Sequence, residues 1–179
     1  DAAATALVRG AFEYQGQKCS AASRAYLPAS LWPALREKLL GMVREIKVGE
    51  VEDFTNFMGA VIDRSAFRSI TAYVDHAHQS PEATILHGGK YDDSEGFFIE
   101  PTVIKTTNPK FLTMEEEIFG PVLTIYVYQD ARWEETLHLC DETSPYALTG
   151  GVFSRDRHAY VEACRILRYA AGNFYLNDK

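Results

Sequence analysis

The 179-residue sequence contains no apolar run that approaches the roughly 20 residues needed to cross a lipid bilayer. It has only three cysteines, Cys19, Cys140 and Cys164, an odd number that is not typical of a disulfide framework and favours a reducing compartment. Basic residues are in deficit, since 18 Lys and Arg stand against 25 Asp and Glu, and the net charge is −7. This acidic balance argues against nucleic acid or an anionic membrane as the main partner.

Patterns that bind metals or phosphate groups are also missing. His76 and His78 lie two residues apart, whereas two ligands on one helix face require a spacing of four. The other histidines have no Cys or Asp partner at ligand spacing, so we expect no metal site. Residues 88–90, Gly-Gly-Lys, match neither phosphate-loop pattern and precede turn-forming residues, which favours a plain turn.

What remains is the composition of an ordinary globular domain, with 46% hydrophobic and 24% charged residues. The length suffices for one well-buried domain and is short for two. The first residues, Asp-Ala-Ala-Ala-Thr, lack an initiator Met and the basic and apolar regions of a secretion signal. We therefore treat residues 1–179 as one domain and expect the chain to be a piece of a longer protein.

Short strands alternate with helices along the chain, which predicts βαβ units and an α/β fold with a largely parallel sheet flanked by helices. Residues 122–128 are dense in β-branched and aromatic residues, as expected of a central strand, and residues 49–59 are predicted to form a loop. The predicted N-caps are Ser30, Asp63 or Ser65, and Asp156. The predicted helices are residues 2–14, the segments containing Leu31, Leu35 and Leu39 and containing Phe67, Ile70, Val74 and Ala77, and residues 131–140 and 157–169; the predicted strands are residues 24–27, 84–87, 97–105, 122–128, 148–153 and 172–177.

Cys19 is a candidate nucleophile because of its neighbours. It follows the first predicted helix in a turn, between Gly16-Gln17-Lys18 and Ser20-Ala21-Ala22-Ser23, where small and polar residues would let a substrate approach. Lys18 would favour the thiolate if it pointed towards the sulfur, and backbone N–H groups of the turn could stabilise an oxyanion. An ordinary turn cysteine fits the same pattern. Cys140 and Cys164 lie in predicted helices and are interpreted as small buried residues.

A second candidate is the acidic run at residues 115–117, which precedes Ile118-Phe119-Gly120-Pro121 and then a strongly apolar strand. Charge runs are typically solvated faces. A carboxylate, an aromatic ring and a Gly-Pro turn at the edge of a sheet could also form the rim of a pocket, so spacing alone leaves both interpretations open.

Taken together, these segments resemble the aldehyde dehydrogenase superfamily. Residues 16–20, Gly-Gln-Lys-Cys-Ser, resemble its nucleophile motif, and residues 116–121, Glu-Glu-Ile-Phe-Gly-Pro, resemble a second motif of the family. Residues 59–63 resemble a third block, with Ala60 in place of the usual proline. Two further resembling blocks are residues 96–101 and 170–177, so the likeness covers nearly the whole chain.

Finer matches in residues 18–26, 149–154 and 171–179 resemble one subfamily. Its members oxidise glutamate γ-semialdehyde, which arises from 1-pyrroline-5-carboxylate, to glutamate in proline catabolism.

The resemblance implies a fold of the aldehyde dehydrogenase catalytic-domain type, NAD as the cofactor and a small-molecule aldehyde as the substrate. Cys19 would be the catalytic nucleophile, forming a thiohemiacetal and, after hydride transfer to NAD, a thioacyl enzyme that water hydrolyses. Glu117 would bind the nicotinamide ribose and Phe119 would pack near the nicotinamide. Lys18 and Ser20 would contact the α-amino acid head of the substrate, although a solvated lysine fits Lys18 equally well. The full-length protein would be a homo-oligomer.

By the same resemblance, the general-base glutamate, most of the NAD-binding domain and the substrate-anchoring loop of the C-terminal block lie outside residues 1–179. We therefore expect the isolated chain to have negligible dehydrogenase activity and weak NAD affinity. The alternatives are a truncated, non-catalytic domain of the same fold that acts by binding or assembly, and a cysteine hydrolase with a His base near Cys19. The expected compartment is a bacterial cytoplasm or a mitochondrial matrix.

Overall fold

The computed structural model describes residues 1–178, which form a mixed sheet flanked by helices. A short turn, Glu13–Gly16, and a 3-10 turn, Asp130–Arg132, accompany the regular elements. The helices are α1 (Ala2–Phe12), α2 (Trp32–Arg44), α3 (Arg64–Gln79), α4 (Leu112–Glu115), α5 (Trp133–Glu142) and α6 (Arg157–Ile166). The strands are β1 (Arg24–Pro28), β2 (Ala83–His87), β3 (Tyr91–Asp92), β4 (Phe98–Ile99), β5 (Thr102–Thr106), β6 (Val122–Tyr128), β7 (Thr149–Val152) and β8 (Asn173–Leu176).

Four strands make the main sheet in the order β1-β6-β5-β2. β6 runs parallel to β1 and to β5, whereas β2 pairs with β5 in the antiparallel sense at the edge. The predicted central strand at residues 122–128 is confirmed, as is the mainly parallel α/β fold. Two smaller pairs stand apart from this sheet, β3 with β4 and β7 with β8, and the second pair is parallel.

Each face of the main sheet carries its own hydrophobic core. Leu123 and Ile125 of β6 pack in one cluster with residues of α1 and α2, whereas Val122 packs in another with residues of α3. This division follows from the alternation of side chains along a strand. Burying one such aliphatic side chain contributes about 1.5–3 kcal/mol, so the two layers fix the sheet that supports the loops at its edge.

Two of the predicted helix caps are confirmed and one is wrong. Asp63 caps α3 by accepting a hydrogen bond from the N–H of Ala66 at 2.7 Å, and Asp156 caps α6. Ser30 does not cap α2, which begins at Trp32. Its hydroxyl and its N–H both donate to the carboxylate of Asp130 instead, the latter at 3.0 Å. A partner 100 residues away in the sequence thus decides the role of Ser30.

The interpretation of the two helical cysteines as buried requires a correction. Cys140 and Cys164 are both only partly buried. Ala163 of α6 and Leu167, which follows the helix, pack with Leu137 of α5, whereas Val161 of α6 is 57% exposed. Burial raises the pKa of the Cys140 thiol above its ordinary value, so the thiolate is disfavoured there. No helix within residues 1–178 combines the length and apolarity that crossing a membrane requires.

Candidate active site

A left-handed turn leads from α1 to Cys19. Tyr14, Gln15 and Gly16 follow one another with φ values of 53°, 60° and 67°. Residues other than glycine cost roughly 1–3 kcal/mol in such a conformation, so neighbouring contacts must hold this turn. It delivers Cys19 and Ser20 to the surface, where both are exposed.

The close approach of Gly16 to Gly120 brings the two main motifs together. A Cβ atom on Gly16 would lie 2.2 Å from the carbonyl oxygen of Gly120 and 2.8 Å from that of Ala11. Only glycine fits there, both for lack of space and because its φ is positive. Two segments about 100 residues apart in the sequence therefore meet in the fold.

The acidic and aromatic segment is anchored at alternate positions. Ile118 is 5% exposed in the core with α3, and Gly120 lies so close to Ile70 that a Cβ atom would be 2.7 Å from that side chain. Glu117, which precedes Ile118, is exposed. Phe119 lies between Ile118 and Gly120, has a φ of 57° and is 46% exposed. The turn therefore presents a carboxylate and a phenyl ring to solvent on a rigid base.

The third motif block lies against the nucleophile turn. The side-chain amide of Gln15 donates to the carbonyl of Ala60 at 3.1 Å, and the N–H of Ile62 donates to the side-chain oxygen of Gln17 at 2.9 Å. The N–H of the intervening residue, Val61, donates to the carbonyl of Phe97 at 2.9 Å. The blocks at residues 59–63 and 96–101 thus support the turn before Cys19.

Residues 144–149, which lead into β7, join the nucleophile segment to the acidic one. Thr149 donates its hydroxyl to the carbonyl of Ser20 at 3.3 Å, and Ser144 donates to the carbonyl of Glu115 at 2.7 Å. Arg24, on β1, donates to the carbonyl of Met114 at 3.5 Å. Sequence reasoning missed these three residues. Two signals were available: Arg24 and Thr149 lie in the resembling segments 18–26 and 149–154, and Arg24 is a charged residue at the start of an otherwise apolar strand.

Lys18 forms an ion pair with a residue of the preceding turn. Its ammonium lies 3.3 Å from a carboxylate oxygen of Glu13 and 5.5 Å from the centre of the Tyr14 ring. The other oxygen of Glu13 accepts a hydrogen bond from Arg9 at 2.6 Å. The positive charge beside Cys19 is thereby paired within the preceding turn.

The two histidines of α3 make their contacts away from the turn before Cys19. In the described part of the chain, no His makes a hydrogen bond or ring contact with residues 13–20. His76 stacks on Phe111 with 5.1 Å between ring centres, and a ring nitrogen of His78 lies 3.2 Å from the carbonyl of Gly89. Residues 1–178 contain no group of three side chains able to hold a metal ion.

Cys19 lies exposed at the surface of the described residues. Two depressions on the described residues, one between α5 and α6 and one between residues 141–147 and 168–172, do not include Cys19.

Comparison with known proteins gives a consistent result. The chain is 58% identical over 172 residues to "Delta-1-pyrroline-5-carboxylate dehydrogenase, mitochondrial" of Dictyostelium discoideum, covering 96% of this chain and 31% of that protein. It is 54% identical over 173 residues to the human protein of the same description, covering 96% of this chain and 31% of the human protein.

The solved structure of the Delta-pyrroline-5-carboxylate dehydrogenase from Mycobacterium tuberculosis bound with NAD superposes with a TM-score of 0.92 at 46% identity, covering all of this chain and 32% of that one. The chain thus spans about a third of the length of these relatives. The family model described as "Aldehyde dehydrogenase family" matches residues 1–179. By sequence and by fold, the chain belongs to the aldehyde dehydrogenase family.

Proposed function

We propose that this chain is the catalytic-domain core of an NAD-dependent aldehyde dehydrogenase that oxidises glutamate γ-semialdehyde to glutamate. The observation that carries the proposal is the contact between Gly16 and Gly120, which places an exposed Cys19 and the exposed Glu117 and Phe119 on adjoining turns. The names of the relatives, which are 1-pyrroline-5-carboxylate dehydrogenases, support the choice of substrate.

The residues of the acidic turn fit a nicotinamide dinucleotide. Glu117 offers an exposed carboxylate, which accepts hydrogen bonds from the two hydroxyls of a ribose. Phe119 offers a partly exposed ring, whose flat apolar face suits a planar heterocycle. NAD supplies a hydride acceptor when it is bound. The remainder of its binding site belongs to segments outside residues 1–179.

Cys19 supplies the covalent chemistry. Its thiolate forms an S–C bond to the aldehyde carbon, and the carbonyl oxygen becomes an oxyanion that the backbone N–H of Cys19 stabilises. Loss of hydride from that carbon leaves a thioester on Cys19. Water then attacks the thioester, the S–C bond breaks, and the carboxylate product leaves, which restores the Cys19 thiolate and releases two protons to solvent.

Ser20 and Lys18 are proposed to recognise the head of the substrate. Ser20 is exposed, and within residues 1–178 no hydrogen bond engages its hydroxyl, which is available to the substrate carboxylate. Lys18 is paired with Glu13, so its contribution requires the ammonium to move from that carboxylate towards the substrate. Of the two, Ser20 is the better placed.

We further propose a homo-oligomer in a reducing compartment, either a bacterial cytoplasm or a mitochondrial matrix. Several eukaryotic relatives are described as mitochondrial.

The experiment that tests the proposal is NADH formation from 1-pyrroline-5-carboxylate by the complete enzyme that carries this chain. We expect Cys19→Ala to lower kcat by at least about 10³-fold, since nucleophile removal abolishes the covalent route. We expect the isolated residues 1–179 to form no NADH. An inactive complete enzyme, or Cys19→Ala with wild-type activity, would contradict the proposal.

The alternative is a truncated, non-catalytic domain of the same fold that acts by binding or assembly. The chain spans about a third of the relatives' length, which is compatible with this alternative. A natural protein that ends near these bounds, remains inactive and forms a complex with a longer copy would support this alternative.

A further inference from the structure

The side chain of Gln17 makes a contact that the proposed chemistry does not use. Its amide oxygen accepts a hydrogen bond from the backbone N–H of Ile62, with 2.9 Å between the two atoms. Gln17 lies two residues before Cys19, directly after the left-handed turn of residues 14–16. A further bond closes the turn itself, since the N–H of Gln17 donates to the carbonyl of Tyr14 at 3.0 Å.

The donor on Ile62 is held in place from both sides. Val61 is 3% exposed, and its N–H donates to the carbonyl of Phe97 at 2.9 Å. Asp63 caps α3 through its bond to the N–H of Ala66. The Ile62 side chain is 81% exposed, so its flanking backbone, and not side-chain packing, locates the N–H. Gln17 thus attaches the turn to a fixed point.

Two other contacts join the same turn to its surroundings. Gln15 donates to the carbonyl of Ala60, which lies two residues before Ile62. Gly16 packs against the carbonyl of Gly120 in the segment that carries Glu117 and Phe119. The turn therefore bridges residues 60–62 and the acidic turn, and Cys19 follows directly from it.

We infer that Gln17 is a positioning residue for Cys19. The hydrogen bond between Gln17 and Ile62 holds the nucleophile in a fixed position relative to the turn that carries Glu117 and Phe119. The inference rests on the proposed function, which makes Cys19 the nucleophile. A strained backbone such as that of Tyr14 and Gln15 persists only while the surroundings over-determine it. Displacing a reacting group by about 1 Å costs roughly 100-fold in rate.

Three variants of the complete enzyme separate the hydrogen bond from the bulk of the side chain. Gln17→Leu keeps the size and removes the acceptor, whereas Gln17→Glu keeps an acceptor for the Ile62 N–H. Gln79→Leu makes the same change at an exposed glutamine at the end of α3 and serves as the control.

We expect Gln17→Leu to lower kcat roughly 10- to 100-fold while the KM for the aldehyde changes less than about threefold. Gln17→Glu should recover kcat to within about threefold of the wild type, assayed up to pH 9 because a nearby carboxylate disfavours the thiolate. Gln79→Leu should retain wild-type kcat and KM.

Amide hydrogen exchange, followed by mass spectrometry, reads the turn without using activity. We expect exchange at Ile62 and at residues 17–21 to accelerate roughly tenfold in Gln17→Leu and to stay near wild type in Gln17→Glu. The inference is overturned if Gln17→Leu keeps wild-type kcat, if its exchange is unchanged, or if Gln17→Glu is equally impaired. If the wild type forms no NADH, the proposed function fails, and the exchange comparison alone decides whether Gln17 holds the turn.

Discussion

The backbone carbonyl of Gly120 occupies the space that a side chain on Gly16 would need, with 2.2 Å between that oxygen and an added Cβ atom. This contact joins the segment of Cys19 to the segment of Glu117 and Phe119. The Gly120 carbonyl belongs to the backbone and cannot rotate away as a side chain could. Gly16 also has a positive φ of 67°, which favours glycine. A substitution at Gly16 must therefore move one of the two turns.

We expect Gly16→Ala to destabilise this chain by about 2–4 kcal/mol, because strain at positive φ adds to the overlap with backbone. The matched control is Gly41→Ala in the middle of α2, where an added Cβ would meet nothing within 4 Å. That variant should gain about 1 kcal/mol from better helix propensity. Urea unfolding of both variants measures the difference, and equal midpoints would remove the special role of Gly16.

At position 15, in contrast to position 16, we expect glycine to be tolerated in place of the native residue. Gln15 has a φ of 60°, where glycine is unstrained, but its side chain donates a hydrogen bond to Ala60. Gln15→Gly removes backbone strain of roughly 1–3 kcal/mol and also removes a hydrogen bond that contributes about 1 kcal/mol. We therefore expect the variant to be more stable than the wild type or to lie within about 1 kcal/mol of it. Gln15→Ala keeps the strain and loses the bond, and should be the less stable of the two. A Gln15→Gly variant less stable than Gln15→Ala would show that backbone strain is not what matters at this position.

The proposed contact between Ser20 and the substrate head has its own kinetic signature. In the complete enzyme, Ser20→Ala should raise the KM for glutamate semialdehyde roughly tenfold, because a hydrogen bond to a charged group is lost. The KM for a simple aliphatic aldehyde, which has no carboxylate to bind, should change little. Steady-state kinetics with the two aldehydes provide the measurement, and equal effects on both would remove this role from Ser20.

Local sequence patterns were sufficient for most of the secondary structure. The β-branched run at residues 122–128 became the central strand because burial on both faces demands a continuous apolar sequence. Asp63 and Asp156 act as caps through bonds to residues two or three positions away. The predicted cap at Ser30 was wrong because the Ser30 hydroxyl donates its hydrogen bond to Asp130, which is distant in the sequence. The antiparallel direction of β2 likewise depends on tertiary packing and has no local signal.

The same distinction applies to the candidate site. Motif resemblance identified Cys19, Glu117 and Phe119 as candidates, and their roles remain predictions. No pattern indicated that Gln17 would meet Ile62 or that Thr149 would meet Ser20, since each of these bonds joins residues at least 45 positions apart. Residue type limits what a side chain can do, and the fold decides which partner it meets.

We expect the half-buried Tyr26 and the buried Tyr128 to lower the stability of the protein in alkali. Burial raises the pKa of Tyr26 and of Tyr128 from 10.0 to about 12. The unfolded chain therefore releases these protons first, and the native state holds more protons between pH 10 and pH 12. Stability from these groups is fully present below pH 10 and falls by up to about 1.4 kcal/mol per pH unit per group as the pH rises towards 12.

Tyr26→Phe isolates one of these contributions. The Tyr26 hydroxyl donates to the hydroxyl of Thr143 at 2.9 Å, so the variant should lose about 1 kcal/mol at neutral pH through that bond. Above pH 10 the wild type loses stability faster than the variant, because only the wild type ionises at position 26, and the difference between them should shrink and then reverse. Urea unfolding at several pH values from 8 to 11.5 measures this difference. A difference that stays constant across that range would show that Tyr26 titrates as it does in the unfolded chain.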